Sequence, residues 1–550
     1  MIAAATALAQ ARRLVDALSH ALEAALAAAR RLTEGGRGID AHQVHSERLA
    51  YQATELQAAK DLLHDAERMH DHDPADQVAA DMALAFAAEI TQKFLTQADT
   101  HLSTYGLDAA VLEKTVAAPD LRDAIRMGVA DALWCRIGQA VLARNGSNTS
   151  RLGDDVSELM RQSVRDFTRD AIEPIAERIH RHDELAPDDL IRQMGQLGFF
   201  AMSIPEAYGG TGMGYLGMIL ITEELSRGSL GAAGSLITRP EIVARALLDG
   251  GTEVQKQRWL PGIAAGDLMV AVSVTEPDIG SDVAALTCRA EAATIAGQQG
   301  YCLHGAKAWC TFAGRGDIIG LLARTDPDPT HGARGLSLFI IEKERCYGHD
   351  FVLTQPHGGV MRGKADATLG YRGMHSFSMT YDNYFVPAAN LVGEAQGLNR
   401  GFYLQMRGFA NGRLQTGGRA LGLSQAALEK TVAYVKQRHQ FGRPISDYQL
   451  TQYKLGRMAT FLAAARQLTY AAAQRMEAAP DTSLDGAMAK LMASDVAVWL
   501  TQEGQLLHGG WGYAEETPIS RYVVDALVLP IFEGVKPILE LKVIARALLR

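Results

Sequence analysis

Glu533 lies between Phe532 and Gly534 in LVLPIFEG, a stretch with no other charge. A carboxylate in such surroundings is either paired with a structural cation or desolvated, and desolvation raises its pKa toward the roughly 6 to 7 that suits a general base. Other segments carry groups that could bind a ligand. VTEPDIGSD, Val274 to Asp282, runs from a strand into a Gly-Ser turn, where backbone N–H groups and the Thr275 and Ser281 hydroxyls can meet a phosphate or a polar ring edge. Alone it is also an ordinary capped β-turn. GAKAWCT, Gly305 to Thr311, sets Trp309 and Thr311 two residues apart, on one face of a regular strand; a lone strand tryptophan is more often core. RHQFGRPI, from Arg438, ends a helix with a cationic cluster and a Gly-Arg-Pro stop, the usual form of a C-terminal cap. HGGWGY, His508 to Tyr513, is a glycine turn that backbone can bring close to a ligand at Gly509 and Gly510. In GAAGSLITRPEIVARALL, Gly231 to Leu248, Arg239 interrupts an apolar core. A buried arginine needs an anion, and its planar fork suits a carboxylate; Glu241, Glu223 or Glu224 could equally supply one.

The elements that must hold these groups follow from composition and period. The chain has 550 residues, 47% hydrophobic and 21% charged, enough for several packed domains. Its net charge of -9 comes from well-mixed acids and bases, with no basic face for nucleic acid. Five scattered cysteines without a CxxC pair argue against a disulfide framework or structural zinc and fit a reducing cytoplasm. No secretory leader and no run of 18 apolar residues is found, so neither export nor a membrane span is expected.

Residues 1–150 have helical spacing, with Leu14, Leu18, Leu22 and Leu26 on one face, and NGSNTS at 145–150 reads as a linker. A second helical region follows over 151–267. Short β-type runs occupy 268–387: LMVAVSV, YCLHGAKAWCTF, DIIGLLA, GLSLFII and SFSMTYDNYFVP. Helical period returns over 388–550, with Leu421, Leu428, Val432 and Val435 on one face. The expected fold is mostly α with a central β domain. Residues 78–108 echo 486–513; shared composition of two Ala-rich helices is the simpler reading, a duplicated bundle the sharper one. The first 150 residues lack clustered catalytic types and read as a packing or dimer-shaping domain. Their loss is expected to affect solubility or assembly before substrate choice.

Taken together, in this order and spacing, the segments from 156 to 550 resemble the acyl-CoA dehydrogenase family. The resemblance implies a helical domain, a β-sandwich or barrel domain and a C-terminal four-helix bundle, here with an extra N-terminal helical domain. It implies bound FAD contacted by Val274, Thr275 and Ser281, with Trp309 and Thr311 against the isoalloxazine. Arg438 and Phe441 would reach the FAD of a neighbouring subunit in a homodimer or tetramer, and Gly509 and Gly510 would line the pyrophosphate path. Glu533 matches the family's base, with Phe532 where tyrosine is usual; the other position that some branches use is Gly412, before Arg413, and is empty. The implied reaction is α,β-dehydrogenation of an acyl-CoA, Glu533 taking the α proton and FAD the β hydride. The Glu533 N–H and a ribityl hydroxyl would polarise the thioester carbonyl. Electrons would leave through an electron-transferring flavoprotein. Arg239, Ser281, Tyr371, Arg413 and Gly534 are the implied substrate contacts, with Arg372 a second candidate beside Tyr371. The N-terminal extension, GSLxTR, GYRGM and the FEG...LKVIAR ending resemble the branch that converts methylsuccinyl-CoA, a branched dicarboxylic thioester, to mesaconyl-CoA. Ile279, Leu506, Val535 and Pro537 depart from the family pattern and bear on adenine-end contacts rather than the chemistry.

Rival readings are a redox-inactive binding module, a flavin monooxygenase relative and an acyl-CoA oxidase. The first two should lack a base at position 533. An oxidase differs in oxygen access, which no single residue decides. His64, His70 and His72 beside Asp71 and Asp73 read as a polar helix end, so no metal site is expected.

Overall fold

The computed structural model describes residues 3–148, 150–479 and 483–550. It divides into two compact units: Met1–Met160 together with Thr416–Arg550, and Arg161–Gln415.

The first unit is helical. α1 (Ala4–Leu32), α2 (Gln43–His72) and α3 (Gln77–Thr100) pack on one another. Leu14, Leu18, Leu22 and Leu26 are all buried, as the four-residue repeat requires. Gly35 and Gly36 follow α1 in the left-handed region, which glycine enters without strain. The helix Gln449–Ala478 packs on Asp131–Ala143, on Ser483–His508 and on α2. Two glycines permit one of these crossings: a Cβ on Gly138 would lie 1.8 Å from Gln452 O, and one on Gly456 would lie 2.1 Å from Trp134 O. Polar links join these two helices to α3 and α2. Arg136 donates twice to Asp81, at 2.8 and 2.9 Å, and Gln467 donates to Asp65 at 2.9 Å. The segment expected as a separate domain over 1–150 thus packs with 416–550 in one unit.

The second unit combines helices with a curled sheet. β1 (Val270–Ser273), β2 (Arg289–Ile295), β3 (Gln298–Thr311), β4 (Ile318–Arg324), β5 (Leu336–Glu342), β6 (Asp350–Thr354), β7 (Val360–Ala365) and β8 (Ser376–Pro387) run in the order β1-β4-β2-β3-β8-β7-β6, with β5 beside β4. β4 is buried along its whole length. Its Ile318 and Leu322 share a core with Val243, Leu247, Trp259 and Ile263 of the helices Thr238–Gly250 and Glu253–Ala265, while Ile319, Leu321 and Ala323 face Leu303, Phe339, Phe377 and Met379. Two buried faces explain a strand that reads as unbroken apolar sequence. The five expected runs correspond to β1, β3, β4, β5 and β8. β2, β6 and β7 escaped that reading because they are short, largely exposed strands with only one or two fully buried residues each.

The segment Gly231–Leu248 is not one helix. A π-type turn, Leu230–Gly234, is capped by the Ser229 hydroxyl, which accepts from Ala232 N at 3.1 Å, and a new helix begins at Thr238. Arg239 therefore sits in a first turn, where the helix dipole disfavours a cation.

Candidate functional site

Glu533 occupies the apex of a closed loop. Lys536 N donates to Pro530 O at 2.9 Å, joining the loop ends. Ser494 Oγ donates to Leu529 O at 3.3 Å, and the fully buried Lys490 ammonium donates to Gly534 O at 2.6 Å. Glu533 (φ 54) and Gly534 (φ 98) are consecutive left-handed residues. Glycine takes this at no cost; a glutamate held there signals strain of about 1 to 3 kcal/mol, of the kind concentrated at functional sites. Glu533 Oε2 is buried and accepts no hydrogen bond from any described residue. The Phe532 ring, in the same loop, lies 4.4 Å beneath the Arg419 guanidinium.

In the second unit the VTEPDIGSD loop is anchored by two residues that sequence reasoning left unassigned, although both lie inside the quoted motifs. Glu276, 4% exposed, accepts from Lys307 Nζ at 3.0 Å, from Thr287 N and Oγ1 at 2.9 and 2.7 Å and from Cys288 N at 2.8 Å. Burial raises its pKa, but the Lys307 charge and these donors outweigh burial and hold it below the usual value. Lys307 also donates to Val274 O at 2.8 Å, and Ala308 N donates to Thr275 O at 2.8 Å. The loop and the Trp309 strand are thereby one assembly. Val274 is buried, Thr275 half-buried and Ser281 exposed.

The same-face expectation for Trp309 and Thr311 fails locally. The β3–β8 register shifts between Lys307 and Cys310, and Trp309 has φ 58. A bulge of this kind breaks strand alternation and re-aims side chains. Trp309 is 60% exposed, while Thr311 is 5% exposed and hydrogen-bonded to Ser376 Oγ at 3.0 Å. Phe312, Tyr371 and His375 also have positive φ, and Phe312 N donates to His375 O at 2.8 Å. Strained backbone is concentrated at this edge of the sheet.

Arg239 is 5% exposed, and its Nη1 donates to Tyr371 Oη at 2.8 Å. Backbone contact holds the two segments together: a Cβ on Gly231 would lie 2.2 Å from Arg372 O. Glu224 is engaged by Arg165, at 2.7 and 3.1 Å, and by Arg227, at 3.2 Å. Glu241 is engaged by Ser203 N and Oγ, and burial pushes its carboxyl up to about 7. Arg372 has a structural task, donating to His180 O at 2.7 Å and Thr368 O at 3.3 Å. Arg413 is half-buried on the long helix Gly401–Gln437.

That helix leads to a tight hairpin, β9 (His439–Gln440) with β10 (Arg443–Pro444). Arg438 is exposed, and Phe441, at its turn, is 95% exposed with φ 52. A Cβ on Gly509 or Gly510 would meet nothing within 4 Å. Gln505 donates to Gly512 O at 3.0 Å, shaping this turn, while Leu506 is 68% exposed. Among the described residues the group that could hold a metal is Asp183, His349 and His375, not the His64–His72 stretch; Arg372 lies 3.6 Å from the Asp183 carboxylate and already balances it.

Models of the three acyl-CoA dehydrogenase domains match this chain: N-terminal over 154–267, middle over 271–384 and C-terminal over both 3–126 and 399–549. The chain belongs to the acyl-CoA dehydrogenase family. It is 39% identical over 397 residues to (2S)-methylsuccinyl-CoA dehydrogenase of Cereibacter sphaeroides, covering 72% of this chain and 70% of that one. It is 37% identical over 380 residues to an acyl-CoA dehydrogenase of Bacillus subtilis, covering 69% and 94%. Butyryl-CoA dehydrogenase of Megasphaera elsdenii superimposes with a TM-score of 0.66 at 30% identity, over 73% of this chain and 100% of that one. The C-terminal domain matches twice, and α3 and the helix Ser483–His508, which carry most of the echoing residues 78–108 and 486–513, fall one in each match.

As an acyl-CoA dehydrogenase the protein is an oxidoreductase acting on CH–CH bonds with FAD as cofactor. Its residues fit a flavin. The exposed Trp309 ring offers a flat apolar face, the Thr275 and Ser281 hydroxyls stand on an anchored loop, and Gly509 and Gly510 leave room for close approach. Among the described residues no helix is long and apolar enough to cross a membrane.

Proposed function

We propose that this enzyme oxidises (2S)-methylsuccinyl-CoA to mesaconyl-CoA, with Glu533 as the base. The observation that carries the base is the buried, unengaged Oε2 of Glu533 on a strained loop closed by Pro530 and Lys536. Such a carboxylate is fixed in position and has an oxygen available for the α proton. The Glu533 N–H donates to the thioester carbonyl and acidifies the α carbon. Val274, Thr275, Ser281, Trp309 and Thr311 hold FAD, with Gly509 and Gly510 along its pyrophosphate. When bound, FAD supplies the acceptor for the β hydride. Arg438 and the fully presented Phe441 reach the FAD of a second copy, so the enzyme works as a homo-oligomer.

The substrate reading rests on the 39% identical relative and on Arg239. Arg239, paired with Tyr371 and seated in a first helical turn, is electrostatically suited to a carboxylate. Ser281, Arg413 and Gly534 complete the acyl-CoA contacts. Electrons pass to an electron-transferring flavoprotein. All five cysteines are free thiols, in keeping with a cytoplasmic enzyme.

Rates on methylsuccinyl-CoA, butyryl-CoA and isovaleryl-CoA test the substrate; equal kcat/KM across the three refutes it. Glu533→Gln tests the base and is expected to keep flavin while losing about 10² to 10⁴ in rate. Reduced enzyme that reoxidises faster in air than with the flavoprotein would instead be an oxidase.

A further inference from the structure

The loop that presents Glu533 is tied to the N-terminal copy of the bundle. Lys536, which closes the loop, places its ammonium 2.6 Å from Asp495 Oδ2 and 3.8 Å from Glu540. The same Asp495 oxygen accepts the hydroxyl of Tyr51, from α2, at 2.9 Å. The Tyr51 ring also faces Lys536 Nζ at 5.1 Å and Lys93 Nζ, from α3, at 4.5 Å, and Lys93 pairs with Glu55 at 2.7 Å. Pro530 and Lys536, the loop's two ends, line a cavity of about 530 Å³ together with Tyr51, Lys93 and Trp499. Solid apolar packing does not back the loop there, so directional polar bonds carry more of its positioning. Burial and the Asp495 charge raise the Tyr51 pKa well above its ordinary value, which keeps the hydroxyl a donor.

The first copy also grips the chain beyond the loop. Asp40 accepts from Lys542 at 2.6 Å, Arg30 Nε donates to Leu548 O at 3.0 Å, and α2 packs on Leu539–Ala545.

We infer that Tyr51 is a positioning residue for proton abstraction: through Asp495 it fixes Lys536, and through Lys536 the loop that presents Glu533. The inference rests on the reading of Glu533 as the base. It assigns the duplicated bundle a part in the reaction beyond packing.

The test is anaerobic single-turnover reduction of the flavin in the full-length holoenzyme, using whichever of methylsuccinyl-CoA, butyryl-CoA and isovaleryl-CoA reduces wild type fastest. Tyr51→Phe keeps the ring and removes the hydroxyl. Its reduction rate should fall about ten-fold with a larger isotope effect from α-deuterated substrate, KM within about two-fold and unchanged flavin content. Asp495→Asn should slow reduction at least as much, and the double variant no more than Asp495→Asn alone, because both act through one bond. A wild-type rate in Tyr51→Phe, a loss matched by lost flavin or folded protein, or additive losses in the double variant overturns the inference. Glu533→Gln, run alongside, separates the two readings. If it reduces flavin normally, the base assignment fails and the inference with it; if it is inactive while Tyr51→Phe is normal, the Tyr51 role alone fails.

Discussion

The Arg419 guanidinium lies 4.4 Å over the ring of Phe532, the residue before Glu533. Arg419 is fully buried, and its Nη2 donates to Thr416 at 2.7 Å, so the cation stands fixed against the base loop. Phenylalanine at the family's tyrosine position thus retains the aromatic face that a buried cation needs.

Phe532→Leu keeps apolar bulk and removes that face. A desolvated cation–π contact is worth about 2 kcal/mol, and the expected result is a fall in thermal stability of that order with a slower flavin reduction. Urea unfolding of holoenzyme measures it; a stability change within about 0.5 kcal/mol would show that the contact contributes little.

Arg239 and Tyr371 share a hydrogen bond of 2.8 Å. Arg239→Met is expected to lower kcat/KM for methylsuccinyl-CoA by about 2 to 5 kcal/mol, the usual cost of removing one partner of a buried charge pair, and to leave butyryl-CoA nearly untouched. Tyr371→Phe should act in the same direction more weakly. Unchanged selectivity in Arg239→Met would place carboxylate recognition elsewhere.

Glu241 gives the second unit a pH dependence. Burial lifts its carboxyl from 4.5 to about 7, so between those values the folded protein holds a proton that the unfolded chain has lost. Stability therefore falls as pH rises from about 4.5 to 7, and the full loss, roughly 3 kcal/mol, is present above that window. Glu241→Gln should flatten the slope and raise the unfolding midpoint at pH 8. A variant with the wild-type pH slope would sink this assignment.

Phe441 presents 95% of its surface at the turn of a hairpin. Phe441→Ala is expected to weaken flavin retention on dilution while leaving secondary structure unchanged, read by flavin fluorescence in the filtrate and by circular dichroism. Undiminished retention would remove Phe441 from the cofactor contacts.

Local pattern was enough for the helix faces and the buried strands. Leu14 to Leu26 and Leu421 to Val435 lie buried as their spacing required, because a helix turn is set by neighbours three and four residues away. The motifs at 274, 305 and 533 stood out by their order and spacing, since each alone has an ordinary structural reading. The missed β2 and β7 each carry two charged residues in a short run, Arg289 and Glu291 in one and Arg362 and Lys364 in the other, and the Trp309 bulge broke a period that sequence alone read as regular.

The order of helical and β regions, the apolar faces and the residue types available at each motif were legible in the amino-acid order. These depend on periods of two to four residues and are written locally. It took the folded chain to show that Glu276 pairs with Lys307, 31 residues on, that Tyr51 binds Asp495, 444 residues away, and that Glu533 and Gly534 both turn left-handed. Such pairings depend on which elements cross and at what angle. That choice is made by the burial and packing of whole faces, and no short window of sequence encodes it.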